Sequence, residues 1–343
     1  MALMKPVFRE KIPPLLYSAN VSDLHSLLNG PALFFLEGVR KPSLIVSTLL
    51  HGNEHTGFLA LRNWLHPYSV GAKPLPRSLW IFIGNTEAAQ SNLRFLPHQP
   101  DYNRIWRGRL GPEGEMARKV TQLVTRDPLF AAVDIHNNSG SNPYYACVSR
   151  WQRSHIQLAG LFGRTVVHAT QPAESFAHAF SDFSPSVTLE CGVSGEQQGI
   201  QRTIEYLEAV LHLSEFTPHG FSSVDIDGYH TAARVRVRPH VDFFFEELKQ
   251  VSPVNKTLVL RSDLERLNFC PLPVGTLIGR YQGTDIPLEV LDENQYDPKL
   301  LNFENGRIST ATEVTPAMFT IKERAIREDC LGYLMKGKQV PSP

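Results

Sequence analysis

The chain has 343 residues, enough for about two domains and a sizeable core. Hydrophobic residues make up 42% and charged residues 20%, which excludes a disordered or coiled-coil protein. Lys+Arg and Asp+Glu each number 34, so the formal net charge is zero and neither a basic nucleic-acid footprint nor an acidic tail is present. Four cysteines, Cys147, Cys191, Cys270 and Cys330, stand far apart with no CxxC, so a zinc ribbon or a disulfide framework is excluded. The opening MALMKPVFREKIPPLL has no apolar run of signal-peptide length. No stretch approaches ~18 uninterrupted apolar residues. A soluble cytoplasmic protein with reduced thiols is expected, with no membrane and no nucleic-acid partner.

In chain order, 43–50 (SLIVSTLL) reads as a strand buried on both faces. A helix follows over 56–65, then a strand over 78–84. Residues 114–124 have helical spacing, with Met116, Val120, Leu123 and Val124 on one side. Strands are expected at 131–135 and 186–189, and a helix with an apolar face at 199–213. This alternation predicts an α/β domain with a largely parallel sheet. After about Ser214 the texture changes. Short strand candidates at 233–237, 257–260, 275–281 and 286–291 are separated by Gly, Pro, Asn and Asp. We therefore place a catalytic domain at 1–214 and a smaller β-rich domain at 215–343.

The chemistry concentrates at strand ends. The first strand runs into His51-Gly52-Asn53-Glu54-His55, the third ends in Asp134-Ile135-His136, and a later one ends in Glu190. In an open α/β sheet those ends line the crevice where ligands bind. Two histidines and a carboxylate are an established catalytic zinc set that leaves one position for water. His51, Glu54 and His136 are the candidate ligands, for one zinc per chain. A further carboxylate must accept the water's proton and return it to the leaving amine, and Glu190 is the candidate. Singly, each residue also reads as an ordinary surface or core side chain. Downstream lie Arg94 and Asp101-Tyr102-Asn103-Arg104. Arg beside Asn suits carboxylate recognition. On spacing alone, a solvated loop whose arginine pairs with Asp101 is the better reading.

HGNE after a strand, GN with a downstream Arg, DxNR, DxH and a strand-end Glu followed by Cys-Gly occur in that order over about 44–192. Together they resemble the succinylglutamate desuccinylase/aspartoacylase family of zinc carboxypeptidase-like hydrolases. The resemblance implies a carboxypeptidase-like, mostly parallel mixed sheet flanked by helices, then a β-rich domain. It implies that His51, Glu54 and His136 hold zinc and that Glu190 is the general base. Arg94 would polarise the scissile carbonyl, Asn103 and Arg104 would hold the substrate carboxylate, and Asp101 would orient a zinc-bound histidine. The expected substrate is an N-acyl amino acid. A zinc carboxypeptidase acting on small peptides with a free carboxylate is the alternative, and a non-catalytic zinc-bound carboxylate binder a further one. A substrate-contacting tyrosine is expected in the C-terminal part, with Tyr281, Tyr296 and Tyr333 as candidates. The Asn137-Asn138-Ser139-Gly140 continuation is closer to the aspartoacylase side.

HGNEH also fits the inverted zincin pattern, with His51 and His55 as ligands and Glu54 as base. That pattern needs a helix, and Gly52-Asn53 after a buried strand is a poor helix interior. His55 is better read as a helix-start residue or a pocket wall. No G-x-S-x-G elbow is present for a serine hydrolase. Cys191 reads as a small buried residue beside Glu190.

Overall fold

Residues 7–9, 11–69, 71–217, 223–246 and 258–341 are described by the computed structural model. They belong to two units. One comprises Met1–Asn137, Tyr144–Asp227 and Val340–Pro343, the other Asn138–Pro143 and Gly228–Gln339. The first contains strands Val7–Arg9 (β1), Ala32–Leu36 (β2), Arg40–Thr48 (β3), Arg77–Ile83 (β4), Leu129–His136 (β5), Tyr145–Val148 (β6), Thr165–His168 (β7) and Ser186–Glu190 (β8). Their lateral order is β1-β2-β4-β3-β5-β8-β6-β7. Every pairing is parallel except β2/β4 and β6/β8. The result is the expected mixed, mostly parallel sheet.

The helices are Leu24–Leu28 (α1), Thr56–Ser69 (α2), Thr86–Gln90 (α3), Pro112–Val124 (α4), Arg153–Gly160 (α5), Phe176–Phe180 (α6) and Gln197–His212 (α7). Burial on both faces explains why β3 reads as a continuous apolar run. Leu44 and Val46 pack with Phe58, Leu61, Leu207 and Val210 of α2 and α7. Ile45, between them, faces the opposite way, into a core with Met116, Val120, Trp106 and Phe180. Each such large side chain contributes about 1.5–3 kcal/mol on burial.

In the second unit, strand Asp227–Val237 pairs antiparallel with Gly332–Gly337 and with Leu288–Leu291. A separate five-stranded sheet orders Phe243–Glu246, Leu258–Arg261, Leu277–Tyr281, Arg307–Thr310 and Leu301–Glu304. The expected strand start at residue 257 lies outside the described residues. Of the candidate tyrosines, Tyr281 and Tyr333 lie on strands of this unit, and Tyr296 is 73% exposed. Among the described residues no helix is long and apolar enough to cross a membrane.

The approach of α2 to the sheet depends on Gly57. A Cβ there would meet Thr48 Oγ1 at 2.3 Å and Ile135 Cβ at 2.9 Å. Gly57→Ala should therefore cost about 1–3 kcal/mol through overpacking, despite alanine's better helix propensity. Urea denaturation measures it, and an unchanged midpoint would contradict this packing.

Candidate active site

The site is built at the C-terminal ends of β3, β5 and β8, adjacent strands of the sheet. Beyond β3 the chain turns through His51-Gly52-Asn53-Glu54, and Glu54 N–H closes the turn on His51 O (3.2 Å). Gly52 is required because a Cβ would meet Ala89 N at 2.2 Å. Helix α2 starts at Thr56, after the motif, so His51 and His55 do not share a helical face. His55 instead starts the helix, its carbonyl accepting Leu59 N–H (3.0 Å). This removes the geometry that the inverted zincin pattern requires.

His51, Glu54 and His136 converge and are all buried, with ligand atoms within 4.8 Å of one another. Both imidazoles point Nδ1 into the cluster. His51 Nδ1 lies 2.7 Å from Glu54 Oε1, and His136 Nδ1 lies 2.7 Å from Glu54 Oε2. The two Nδ1 atoms are 3.3 Å apart. Two nitrogens each ~2.0–2.1 Å from one tetrahedral ion take about that separation. The other nitrogen of each ring meets a carboxylate: His51 Nε2 lies 3.1 Å from Asp101 Oδ1, and His136 Nε2 lies 2.7 Å from Asp134 Oδ2. Carboxylates in these places fix the tautomer and ring orientation that metal ligation needs. The set can therefore hold a divalent metal ion. Burial alone would raise the Glu54 carboxyl, but His51 and His136 hold it well below the usual range. Burial depresses His136, and Asp134 with Glu54 overcomes this and raises it well above an ordinary histidine.

Glu190 sits opposite His136 in the β5/β8 ladder. Its Oε2 is buried with no hydrogen-bond partner among the described residues. Burial, with Glu54 and Asp134 adding to it, pushes this carboxyl up to about 8 against the opposing effect of His136.

The 94–106 segment closes another side. Tyr102, Ile105 and Trp106 are buried, and the Trp106 ring packs edge-on against Phe82 and Phe176. Asp101 accepts from Arg94 Nε (3.2 Å) and Nη2 (2.9 Å) on Oδ2, and from Asn103 N–H (2.7 Å) on Oδ1. Burial opposes ionisation of Asp101, yet His51, Arg94 and Arg104 keep it well below the carboxylate range. Arg94 is thus a loop arginine paired with Asp101. Arg104 Nη1 donates to Asn103 O (3.0 Å). Asn103 Oδ1 accepts Phe176 N–H (3.0 Å), and its Nδ2 lies 3.4 Å from His136 Nε2. Asn85 of the GN pair caps α3, accepting Ala88 N–H (3.1 Å), and donates to Gln99 Oε1 (2.9 Å).

Sequence reading left Asp134 without a role. The signal was available: residues two apart in a strand share a face, so Asp134, the first position of DIH, lies beneath His136, the third.

The model of the succinylglutamate desuccinylase/aspartoacylase catalytic domain matches residues 40–213. The chain belongs to this family. Among curated relatives, a succinylglutamate desuccinylase of Yersinia enterocolitica is 28% identical over 53% of this chain and 61% of its own length. One of Pseudomonas fluorescens is 39% identical over 23% of this chain, and the match covers 25% of that relative. The matched portion thus spans about three fifths of the first relative's length and a quarter of the second's. One of Photorhabdus laumondii is 22% identical over 80% of this chain and 87% of its own length. The solved succinylglutamate desuccinylase of Chromobacterium violaceum has a TM-score of 0.61 at 17% identity, covering 94% of this chain and 98% of that one. Murine aminoacylase 3 has a TM-score of 0.56 at 16% identity, covering 88% and 98%. These structures share the fold.

The raised Glu190 carboxyl has a measurable consequence in metal-stripped protein. The fold favours its protonated form, so its contribution to stability is full below the ordinary value of 4.5 and is lost as pH rises through about 8. In a chelating buffer Glu190→Gln should be more stable than the parent at pH 8, with the gap closing towards pH 4.5. Paired urea denaturation across that range checks it, and a pH-independent gap would refute it.

Proposed function

We propose that the chain is a zinc-dependent hydrolase that cleaves the amide bond of an N-acyl amino acid, in the manner of the desuccinylases and aspartoacylases. One observation carries this reading: the buried His51–Glu54–His136 cluster has a carboxyl acid, Glu190, in register beside it. His51, Glu54 and His136 are the residues that would hold zinc, each through one inward-facing atom. When bound, zinc polarises the scissile carbonyl and acidifies water.

The remaining chemistry belongs to side chains. Glu190 accepts the proton of the attacking water and delivers it to the departing amine. Its lack of a hydrogen-bond partner leaves Oε2 uncommitted to the fold. Arg94, its guanidinium oriented by Asp101, donates to the oxyanion that forms on the carbonyl. Arg104 and Asn103 take the substrate carboxylate, because a carboxylate drawn from water into a crevice needs paired, hydrogen-bonded charge. Asp101 and Asp134 keep the two histidine rings turned.

Zinc content separates the ligand readings. Elemental analysis should find one zinc per chain in the parent, little in His136→Ala, and parental content after replacement of His55. Undiminished zinc in His136→Ala would sink the ligand set.

The reaction is tested by a hydrolysis screen of N-acyl amino acids, N-succinylglutamate first, against small peptides with free C-termini. Acyl amino acids should be cleaved, and activity confined to peptides would make the protein a carboxypeptidase. Glu190→Gln should abolish turnover while zinc is retained. A carboxylate binder without catalysis would show zinc and ligand binding but no hydrolysis by the parent.

Loss of a charged partner at a desolvated site costs about 2–5 kcal/mol. Arg104→Ala should therefore lower kcat/KM roughly 30-fold or more. Arg104→Lys should restore only part, since an ammonium cannot make a bidentate pair. Equal rates for Arg104→Ala and parent on carboxylate and carboxamide forms of one substrate would remove the anchoring role.

A further inference from the structure

We propose that Asn137, clasped to Thr56, is a positioning residue that fixes the segment following Glu190 against the turn carrying Glu54. The inference rests on the roles given above to Glu190 and Glu54. Asn137 immediately follows His136 and is 5% exposed, and Thr56 is fully buried. The two side chains engage reciprocally. Thr56 N–H donates to Asn137 Oδ1 (3.2 Å), and Asn137 Nδ2 donates to Thr56 Oγ1 (2.9 Å). Asn137 Nδ2 also reaches the carbonyls of Gly192 (2.9 Å) and Cys191 (3.4 Å). Thr56 Oγ1 accepts Gly195 N–H (3.1 Å), and Ser194 Oγ accepts His55 N–H (2.8 Å). One buried amide thus joins the ends of β5 and β8 to the start of α2.

The placement matters because the sheet stops there. Cys191 N–H makes the last ladder bond, to His136 O (3.0 Å), and Gly192 then turns with φ +70°. A Cβ at Gly192 would meet Tyr144 Cε1 at 2.9 Å, so the turn passes close to that ring. Beyond Cys191, Asn137 and Thr56 take over from the ladder. Asn137 also contributes its backbone N–H to Glu54 Oε2 (3.3 Å), so the same residue touches the ligand carboxylate. A hydrogen-bonded amide joins these segments without adding a charge beside Glu54 and Glu190. Removing it leaves a buried N–H and buried carbonyls without partners, and local rearrangement follows.

Support for a histidine ligand or a catalytic carboxylate is typically worth 10–100-fold in activity or metal affinity. Here the loss should fall on turnover. In zinc-loaded protein, Asn137→Ala and Thr56→Val should each lower kcat roughly 10–100-fold. KM should stay near the parental value, with one zinc retained per chain. Thr56→Ser keeps the hydroxyl and should restore kcat to near the parental value. The double variant should be little worse than either alone, as expected of a shared interaction. A readout independent of activity is amide exchange in metal-stripped protein. The Thr56 and Gly195 amides should be protected in the parent and exchange faster in both single variants. Parental kcat in Asn137→Ala and Thr56→Val overturns the proposal. So does zinc loss in proportion to activity, or a Thr56→Ser variant as impaired as Thr56→Val. If Asn137→Ala does not fold, the Thr56 pair decides. If the parent cleaves no N-acyl amino acid, the functional reading fails. Amide exchange then judges the clasp alone: unaltered protection in the variants overturns it.

Discussion

Two imidazole nitrogens held 3.3 Å apart and both turned towards one buried carboxylate set the terms for the rest of the catalytic unit. Neutral imidazoles placed so would oppose lone pair to lone pair, and protonating both would oppose charge to charge. A shared cation or proton between these groups is what makes the arrangement tolerable at such burial. The protein fixes the inward direction of Nδ1 from behind. Asp101 and Asp134 each face one Nε2, so a flip of either ring would turn a ring carbon towards a carboxylate and lose that contact. Asp101 is itself tied to Arg94 and to the Asn103 backbone. The orientations of a candidate ligand and of the candidate oxyanion arginine are therefore one structural variable, set by a single carboxyl group.

Topology supplies the convergence. His51 and His136 are 85 residues apart in sequence, yet β3 and β5 are parallel neighbours, so the segments leaving them emerge at the same edge. β8 lies on the other side of β5 and is also parallel, which sets Glu190 directly opposite His136. Parallel pairing with both faces covered by helices makes the strands apolar along their length. The polar groups needed for chemistry are therefore concentrated at strand ends. Small residues permit the close packing this demands. Gly52 lies against the α3 backbone and Gly57 against β3 and β5, so the motif's glycine and the helix's second residue serve the same end.

Much of this was legible in the sequence, for identifiable reasons. β3, β4, β5 and β8 are runs enclosed by turn residues, and α2, α4 and α7 carry apolar faces long enough to show a period. The strands Ala32–Leu36, Tyr145–Val148 and Thr165–His168 were not read. They are four or five residues long, and burial on both faces removes the alternation that marks a strand. Helices α1, α3 and α6, five residues each, are too short for a 3.6-residue period to register. At the site, the HGNE, DIH and strand-end Glu segments could be read because each is local. The partners of Asp101 could not. Which arginine reaches it depends on how residues 94 to 101 double back, and spacing carries no record of that. Asn137 was equally hidden, since its contacts lie at residues 56 and 191–192 and nothing in its neighbours announces them.

Charge joins these observations. Glu54, Asp101, Asp134 and Glu190 place four carboxyl groups in one largely buried region. Arg94, bound to Asp101 (2.9 Å), offsets only part of that acidity. Without further positive charge, keeping protons is the least costly response. His136 is raised well above an ordinary histidine, and Glu190 is pushed up to about 8. The two groups that retain protons are neighbours across the β5/β8 ladder. A divalent cation at the histidine pair would displace the proton shared there, and its field would draw Glu190 downwards into the range of a working base. An acid pushed upwards by burial and a ligand set short of positive charge thus describe a single electrostatic deficit, located at the ends of two adjacent strands.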